Sequence, residues 1–305
     1  MRKEEIRGIL WIMGLVLFLL GVPFVPVLSA APLIIDHTSI DSFATLSNAD
    51  LDAVQANISW HYAHTSHGGQ LTTGLRRLET SDARYSVAIG SRYLPAESGA
   101  LNIFDGQEGE SYITPDKYWQ TAAGVAKTEA VLDHTPAINV SAWSWCTQLN
   151  NYNTSQVQAY LSQMAAFETA YPQVTFVYMT GNAQAGGSSG ATRYANNNLI
   201  RSWVAGSDHR VLFDFADLDA WWYNGSDWER ETYDYNGQTI PLEHVHFNGN
   251  ESGHTTYESC EQKGKAVWVM MTELEQRPAV PLPGAFWLLG SGLLGLVTVR
   301  RRLRG

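Results

Sequence analysis

Five short runs of apolar, aromatic and β-branched residues constrain the fold most, because a loop and a helical pattern follow each run. In the first run, Ile58, Trp60 and Tyr62 occupy alternate positions, as on a strand with one buried face. The runs are residues 58–64, 100–106, 137–145, 174–182 and 209–218. Strands that alternate with helices form parallel sheets covered by helices. The sequence therefore predicts an α/β fold, a three-layer sandwich with a mainly parallel five-stranded sheet.

Polar segments follow the first four runs at the points where the predicted strands end. They read HTSHGGQ, DGQEGE, CTQ and GN in chain order. Loops beyond the carboxyl ends of parallel strands form the binding sites of such sheets. We therefore expect a site at this edge, and we expect residues 223–253, which are rich in Asn, Gly, Tyr and Asp, to form a long irregular loop near it.

The segment after the first run contains three histidines around a serine. His61 and His64 are an odd number of residues apart, so on a strand they point to opposite faces and cannot converge on one metal ion. The sequence therefore predicts no metal site, and it predicts no cofactor. Two roles remain open for Ser66. It could cap the helix that starts near Gly69, or it could act as a nucleophile on a tight turn whose backbone amides stabilise an oxyanion.

The N-terminus predicts export. Arg2, Lys3 and Arg7 precede an apolar run, and small residues then offer a cleavage site, which is typical of a secretory signal peptide over residues 1–30. An uncleaved membrane anchor is the alternative. The globular domain is then expected to span residues 31–278.

The C-terminus, residues 279–305, joins the motif VPLP, an apolar segment close to membrane-spanning length and a cluster of four arginines. This arrangement resembles the PEP-CTERM sorting signals in their Val-Pro-Leu-Pro variant. The resemblance implies recognition by an exosortase-type protease, transient anchoring in the inner membrane, and delivery to the cell envelope or extracellular matrix of a Gram-negative bacterium. A plain membrane anchor is the alternative.

Charge and aromatic content restrict the partners. The two terminal segments carry seven of the 20 basic and two of the 30 acidic residues, which leaves 13 basic and 28 acidic residues and a net charge of −15 on the domain. This charge argues against nucleic acid and anionic membrane surfaces. The 11 Trp and 14 Tyr residues suit stacking against sugar rings, although aromatic side chains also fill cores.

Only two cysteines occur in the chain, Cys146 and Cys260. Because the protein is predicted to leave the cytosol, we expect them to form one disulfide that joins the middle of the domain to its last helix.

The segments HTSHGGQ, WSWCTQ, LFDFADLDAW and GHTTYESCEQKGKAVW, taken together, resemble a divergent branch of the SGNH hydrolases, relatives of the GDSL esterases. The resemblance spans residues 34–275 and implies a serine nucleophile. Ser66 matches that nucleophile, with Gly68 beside it, and Gly106 or Gly109 matches the oxyanion glycine. Gln148 stands where the family has an asparagine, and Asn182, one strand later, is the substitute.

The family's catalytic base is a histidine just before the last helix, with an acid three residues earlier. Two pairs fit this spacing, His254 with Glu251 and His246 with Glu243. The resemblance therefore implies an exported serine esterase or deacetylase acting on acylated carbohydrate. A non-catalytic extracellular matrix or polysaccharide-binding protein on the same fold is the alternative.

Overall fold

A seven-stranded sheet whose strands all pair in parallel forms the centre of the protein. The computed structural model describes residues 31–277, so the predicted signal peptide and sorting signal lie outside the described residues. The α/β prediction with a mainly parallel sheet is confirmed. The prediction of five strands is wrong, because the sheet has seven.

The sheet strands are β1 (Leu33–Ile35), β2 (Ser59–His64), β3 (Val87–Ser91), β4 (Leu101–Asp105), β5 (Val140–Ser144), β6 (Thr175–Met179) and β7 (Val211–Phe213). Their order across the sheet is β1-β7-β6-β5-β2-β4-β3. Each of the five predicted runs contains a strand, and the two strands that were not predicted, β1 and β3, lie at the edges.

The α-helices are α1 (Asn48–Asn57), α2 (Gly69–Ser81), α3 (Pro115–Tyr118), α4 (Ala122–His134), α5 (Thr154–Ala170), α6 (Gly187–Ala205), α7 (Phe215–Ala220) and α8 (Tyr257–Gln276). The chain moves from β2 towards β3 in one direction and from β5 towards β7 in the other. Since parallel crossovers are right-handed, these movements place α2 on one face of the sheet and α5 and α6 on the other. Contacts of α8 with α1 and α2 place these three helices together.

Helices α2 and α8 touch through their backbones. A Cβ atom built on Gly74 of α2 would lie 1.8 Å from the carbonyl oxygen of Cys260 in α8, and one built on Gly264 would lie 2.7 Å from the carbonyl carbon of Gly74. No side chain larger than hydrogen fits at Gly74 unless the helices separate. This close packing fixes the first turns of α8 against the middle of α2.

The centre of the sheet contains the point where the strand order reverses. Strand β2 pairs with β4 on one side and with β5 on the other, because the chain leaves β2 for β3 and β4 and then crosses back to β5. The crevice at the carboxyl ends of two such strands is the usual ligand site of an open parallel sheet. The loops after β2 and β5 therefore meet at the most favourable place for a site.

The region expected to be a long irregular loop instead contains short antiparallel pairs. Strands β8 (Trp221–Tyr223) and β9 (Trp228–Arg230) form one hairpin, and β10 (Thr232–Tyr235) and β11 (Gln238–Pro241) form another. Within residues 31–277, no helix is both long enough and apolar enough to cross a membrane.

Candidate functional site

A thiol and an imidazole meet between the loops that follow β2 and β5. The Nδ1 atom of His67 lies 2.9 Å from the Sγ atom of Cys146. The hydroxyl of Ser66 lies 3.4 Å from the same sulfur. His67 is buried, and Cys146 is half-buried. The contact therefore brings an imidazole and a thiol together at the reversal point of the sheet.

Both loops are held by hydrogen bonds that do not involve the thiol. The hydroxyl of Tyr62 donates to the carbonyl of Gly68 at 2.8 Å, and a Cβ atom on Gly68 would lie 2.3 Å from the Cβ atom of His64. The side-chain amide of Asn182 donates to the carbonyl of Cys146 at 2.7 Å, and Gln148 Oε1 accepts from the Cys146 N–H at 2.7 Å. These bonds fix the backbone on both sides of the thiol.

Gln184 orients the imidazole of His67. Its Nε2 donates to the carboxylate of Glu243 at 3.0 Å and to the carbonyl of His254 at 2.7 Å. Because both partners are acceptors, the amide oxygen must face the other way, and it lies 2.8 Å from His67 Nε2. His67 therefore carries a proton on Nε2 and presents Nδ1 to the sulfur of Cys146.

The surroundings of Cys146 favour its thiolate. Burial by itself would raise the pKa of this thiol, but hydrogen bonds from His67 and Ser66 and the charge of His67 outweigh burial and lower the pKa to about 6. A free thiol has a pKa of ~8.5. At neutral pH the side chain of Cys146 is therefore mostly ionised.

The pKa of His67 moves in the opposite direction. Burial would lower it, but the hydrogen bond and charge of Cys146, the hydrogen bond to Gln184 and the charge of Asp219 raise it. An imidazolium can donate from both ring nitrogens, and both nitrogens of His67 face acceptors. The pair is therefore a thiolate beside an imidazolium, an arrangement that supplies a nucleophile and a proton donor for the leaving group.

Glu243, which accepts from Gln184, lies near a buried ion pair. In this pair Lys263 Nζ contacts Asp219 Oδ1 at 2.6 Å, and both side chains have zero exposure. Burial and the charge of Asp219 raise the pKa of Glu243 to about 7, against the effect of hydrogen bonds from Gln184 and Thr255 and the charge of Lys263. Glu243 thus supports the amide that orients His67.

The histidines predicted as the base occupy different positions. The ring of His254 lies beside that of His67, with centroids 4.9 Å apart, and no ring nitrogen of His254 bonds to a residue between 31 and 277. His246 stacks on Trp222 with centroids 3.8 Å apart. Glu251 accepts from the backbone N–H of Tyr257 and caps α8. Neither histidine hydrogen-bonds to Ser66.

Gly106 lies in the turn after β4. Its φ is +102°, and its carbonyl accepts a hydrogen bond from His61 Nε2 at 2.9 Å. A Cβ atom there would lie 2.7 Å from the carbonyl oxygen of Glu110. These contacts explain a glycine at this position by the geometry of the turn.

The predicted disulfide is wrong, since Cys146 and Cys260 are free thiols. The sulfur of Cys146 faces His67. Cys260 belongs to the first turn of α8, its side chain is buried, and its sulfur lies 3.9 Å from the carbonyl oxygen of Ser252. Burial raises the pKa of Cys260 to about 11, so its thiol stays protonated at neutral pH.

The three histidines after Ile58 have separate partners. His61 is buried between the Ser141 hydroxyl and the Gly106 carbonyl, and burial lowers its pKa to about 4. His64 bonds to the carbonyl of Thr65 and faces Asp105. Elsewhere, Asp36, His37 and Asp217 offer ligand atoms within 4.8 Å of one another. A 2.5 Å hydrogen bond between His37 and Asp217, and the capping role of Asp36, account for that cluster without a cation.

Sequence reasoning missed the pairing of Cys146 with His67 and the role of Gln184. The signal that could have shown the pairing was the position of two segments. SHGG follows β2 and WCTQ follows β5, and these two strands are neighbours in the sheet. Cys146 was instead assigned to a disulfide because of the predicted compartment.

Comparison of the chain with protein-family models gives no match. Comparison with curated protein sequences gives no match either.

Proposed function

We propose that this protein is an acyl hydrolase whose nucleophile is the thiolate of Cys146 and whose proton carrier is His67. The observation that carries the proposal is the 2.9 Å contact between His67 Nδ1 and the Cys146 sulfur, with Gln184 fixing the imidazole from behind. The charge of His67 and the hydrogen bonds to the sulfur outweigh the effect of burial and favour a thiolate, which suits nucleophilic attack on an activated carbonyl.

The reaction would proceed in two steps, acylation of Cys146 and hydrolysis of the resulting thioester. The thiolate of Cys146 attacks the ester carbonyl, an S–C bond forms, and collapse of the oxyanion breaks the C–O bond while His67 Nδ1–H protonates the leaving alcohol. Water then attacks the thioester, the now neutral His67 takes its proton, and the acid leaves as the thiolate returns. An oxyanion that displaced Gln148 Oε1 would accept from the N–H of Cys146.

Acylated carbohydrate is the substrate class that we propose, in keeping with the acidic domain and its many Trp and Tyr residues. Among the five strands β2, β4, β5, β6 and β7, the earliest, β2, lies between the next two, β4 and β5. This 2-1-3-4-5 order is that of a flavodoxin-like sheet, and it supports the finer assignment to an SGNH-type sandwich. Export and sorting by an exosortase-type protease remain proposals that rest on the termini of the sequence.

A serine esterase with Ser66 as nucleophile is the second candidate. It is favoured by the position of Ser66 at the same crevice and by the ring of His254, which lies beside the ring of the neighbouring residue, His67. Its weakness is that the only side-chain partner of the Ser66 hydroxyl among residues 31–277 is the sulfur of Cys146.

Hydrolysis of 4-nitrophenyl acetate and release of acetate from an acetylated polysaccharide would test the proposal. We expect Cys146→Ala to lose activity and Cys260→Ala, the matched control, to keep it. Ser66→Ala should lose at most about tenfold, since one hydrogen bond contributes ~0.5–1.5 kcal/mol.

The opposite pattern, with Ser66→Ala inactive and Cys146→Ala active, would replace this mechanism by the serine one. A folded wild-type protein that hydrolyses no ester would favour the non-catalytic, polysaccharide-binding alternative.

A further inference from the structure

A cleft lies on the surface between the β8–β9 hairpin, α8 and the short 3-10 helix His37–Thr45. Its volume is about 390 Å³. It shares no lining residue with the contact between His67 and Cys146. The side chains that matter most for its chemistry are Asp41, Phe43, Trp222, Tyr223, Trp228 and Glu258.

The aromatic walls of this cleft are held in place. The ring of Trp222 stacks on His246 with an interplanar angle of 8°, and its indole N–H donates to Glu258 at 2.8 Å. The indole N–H of Trp228 lies 3.3 Å from an oxygen of Asp41. Fixed rings present flat apolar surface without losing side-chain entropy when a ligand binds.

Polar groups stand beside these rings. Asp41 and Glu258 each use one carboxylate oxygen for an indole, and the second oxygen of each has no hydrogen-bond partner within the described part of the chain. Both side chains are exposed, and the side chain of Tyr223 is 47% exposed. Carboxylate oxygens that accept hydroxyl hydrogens beside flat aromatic faces suit the alternating polar edge and apolar face of a sugar ring.

Charge narrows the choice of ligand. Three carboxylates, of Asp41, Glu258 and Glu261, and one ammonium, of Lys265, line the cleft. The domain as a whole also has an excess of acidic residues. Uronate-rich or sulfated polymers and nucleic acids would meet repulsion here. An uncharged ligand with many hydroxyl groups would not.

We propose that this cleft binds an uncharged saccharide chain. The rings of Trp222, Tyr223 and Trp228 and the free carboxylate oxygens of Asp41 and Glu258 would contact successive sugar units. The proposal stands independently of the nucleophile at Cys146, because the binding would persist in a protein that had no catalytic activity.

Affinity electrophoresis in gels that contain hydroxyethylcellulose, dextran or alginate would test this proposal. We expect at least one of the two uncharged polymers to retard the wild-type protein and alginate not to do so. Trp228→Ala and Tyr223→Ala should weaken the retardation at least tenfold. Tyr93→Ala removes a tyrosine elsewhere that is even more exposed, 60% against 47% for Tyr223, and should change nothing.

Thermal melting of each variant would separate loss of folding from loss of binding. If Trp228→Ala does not fold, Tyr223→Ala alone tests the role of the aromatic rings in binding. No retardation by either uncharged polymer would overturn the proposal. Unchanged retardation of a folded Tyr223→Ala protein, or stronger binding to alginate, would overturn it as well. Cys146→Ala should bind like wild type, so a failure of the catalytic proposal leaves this result interpretable.

Discussion

Replacing His67 with alanine should move the pH at which Cys146 becomes reactive. In the wild-type protein the charge and hydrogen bond of His67 help to hold the pKa of Cys146 at about 6. Without the imidazole, burial dominates and the pKa should rise to at least the ~8.5 of a free thiol. The midpoint of the alkylation profile should therefore rise by at least two pH units.

The expected change in rate depends on pH in a specific way. At pH 6 about half of the wild-type thiol is ionised, against ~0.3% in the variant, a ratio of ~150. A thiolate of higher pKa is also a better nucleophile. With a Brønsted slope of ~0.4–0.5, a pKa difference of ~2.5 makes the thiolate of the variant ~13-fold more reactive than that of the wild type. The variant should therefore react about tenfold more slowly at pH 6 and about tenfold faster at pH 9, and the two profiles should cross between about pH 7 and 8.

Iodoacetamide labelling followed by mass spectrometry of the peptide that contains Cys146 would measure these profiles. Cys260 should not interfere, because burial keeps its thiol protonated over this range. The control is His246→Ala, which removes an imidazole that stacks on Trp222 and does not touch the thiol. A folded His67→Ala protein whose midpoint stayed near pH 6 would refute the ion-pair argument, and so would a wild-type midpoint near 8.5.

Three predictions concern stability. Lys263→Met leaves the buried carboxylate of Asp219 unpaired and should cost ~3–5 kcal/mol of unfolding free energy in urea titrations. Gly74→Ala drives a Cβ atom into the carbonyl of Cys260 and should cost ~1–3 kcal/mol by the same assay. Glu243 has a pKa raised to about 7, so the folded state binds its proton more tightly than the unfolded state does. The stability of wild type relative to Glu243→Gln should therefore fall between pH ~4.3 and about 7 and stay constant above.

Each of these changes has a control or a contradicting result. Lys265→Met removes a less buried ammonium from the same helix and should cost little. Gly109→Ala adds a Cβ atom in open space and should be close to neutral. A difference between wild type and Glu243→Gln that did not change from pH 4 to pH 8 would show that this carboxyl does not titrate as described.

The sequence predicted the centre of the fold because its strands lie within largely apolar runs of seven to ten residues between clear turns. The sequence did not predict the edge strands β1 and β3, and the reason is physical. Strand β1 has three residues, and the apolar part of β3 is equally short, so only pairing with β7 and β4 stabilises them. The hairpins after Trp221 were missed because their Asn and Gly residues are typical of loops as well as of tight turns.

Part of the site was predictable from position alone. Ser66 was placed at the end of the first central strand, and Gln148 and Asn182 were placed beside it, all of which now surround Cys146. The contact between His67 and Cys146 was not predictable, because it depends on which way two side chains point from separate loops. No local pattern encodes that direction.

The thiol of Cys146 and the imidazole of His67 lie 79 residues apart in the chain, on loops that become neighbours only when β5 pairs with β2. Until that pairing occurs, nothing lowers the pKa of Cys146, and its thiol behaves as it would in a peptide. Reactivity towards iodoacetamide at pH 6 is therefore a built-in reporter of when the middle of the sheet has assembled. A refolding chain sampled at intervals should gain this reactivity in step with the β2–β5 pairing, and it should do so whatever the order in which the edge strands join.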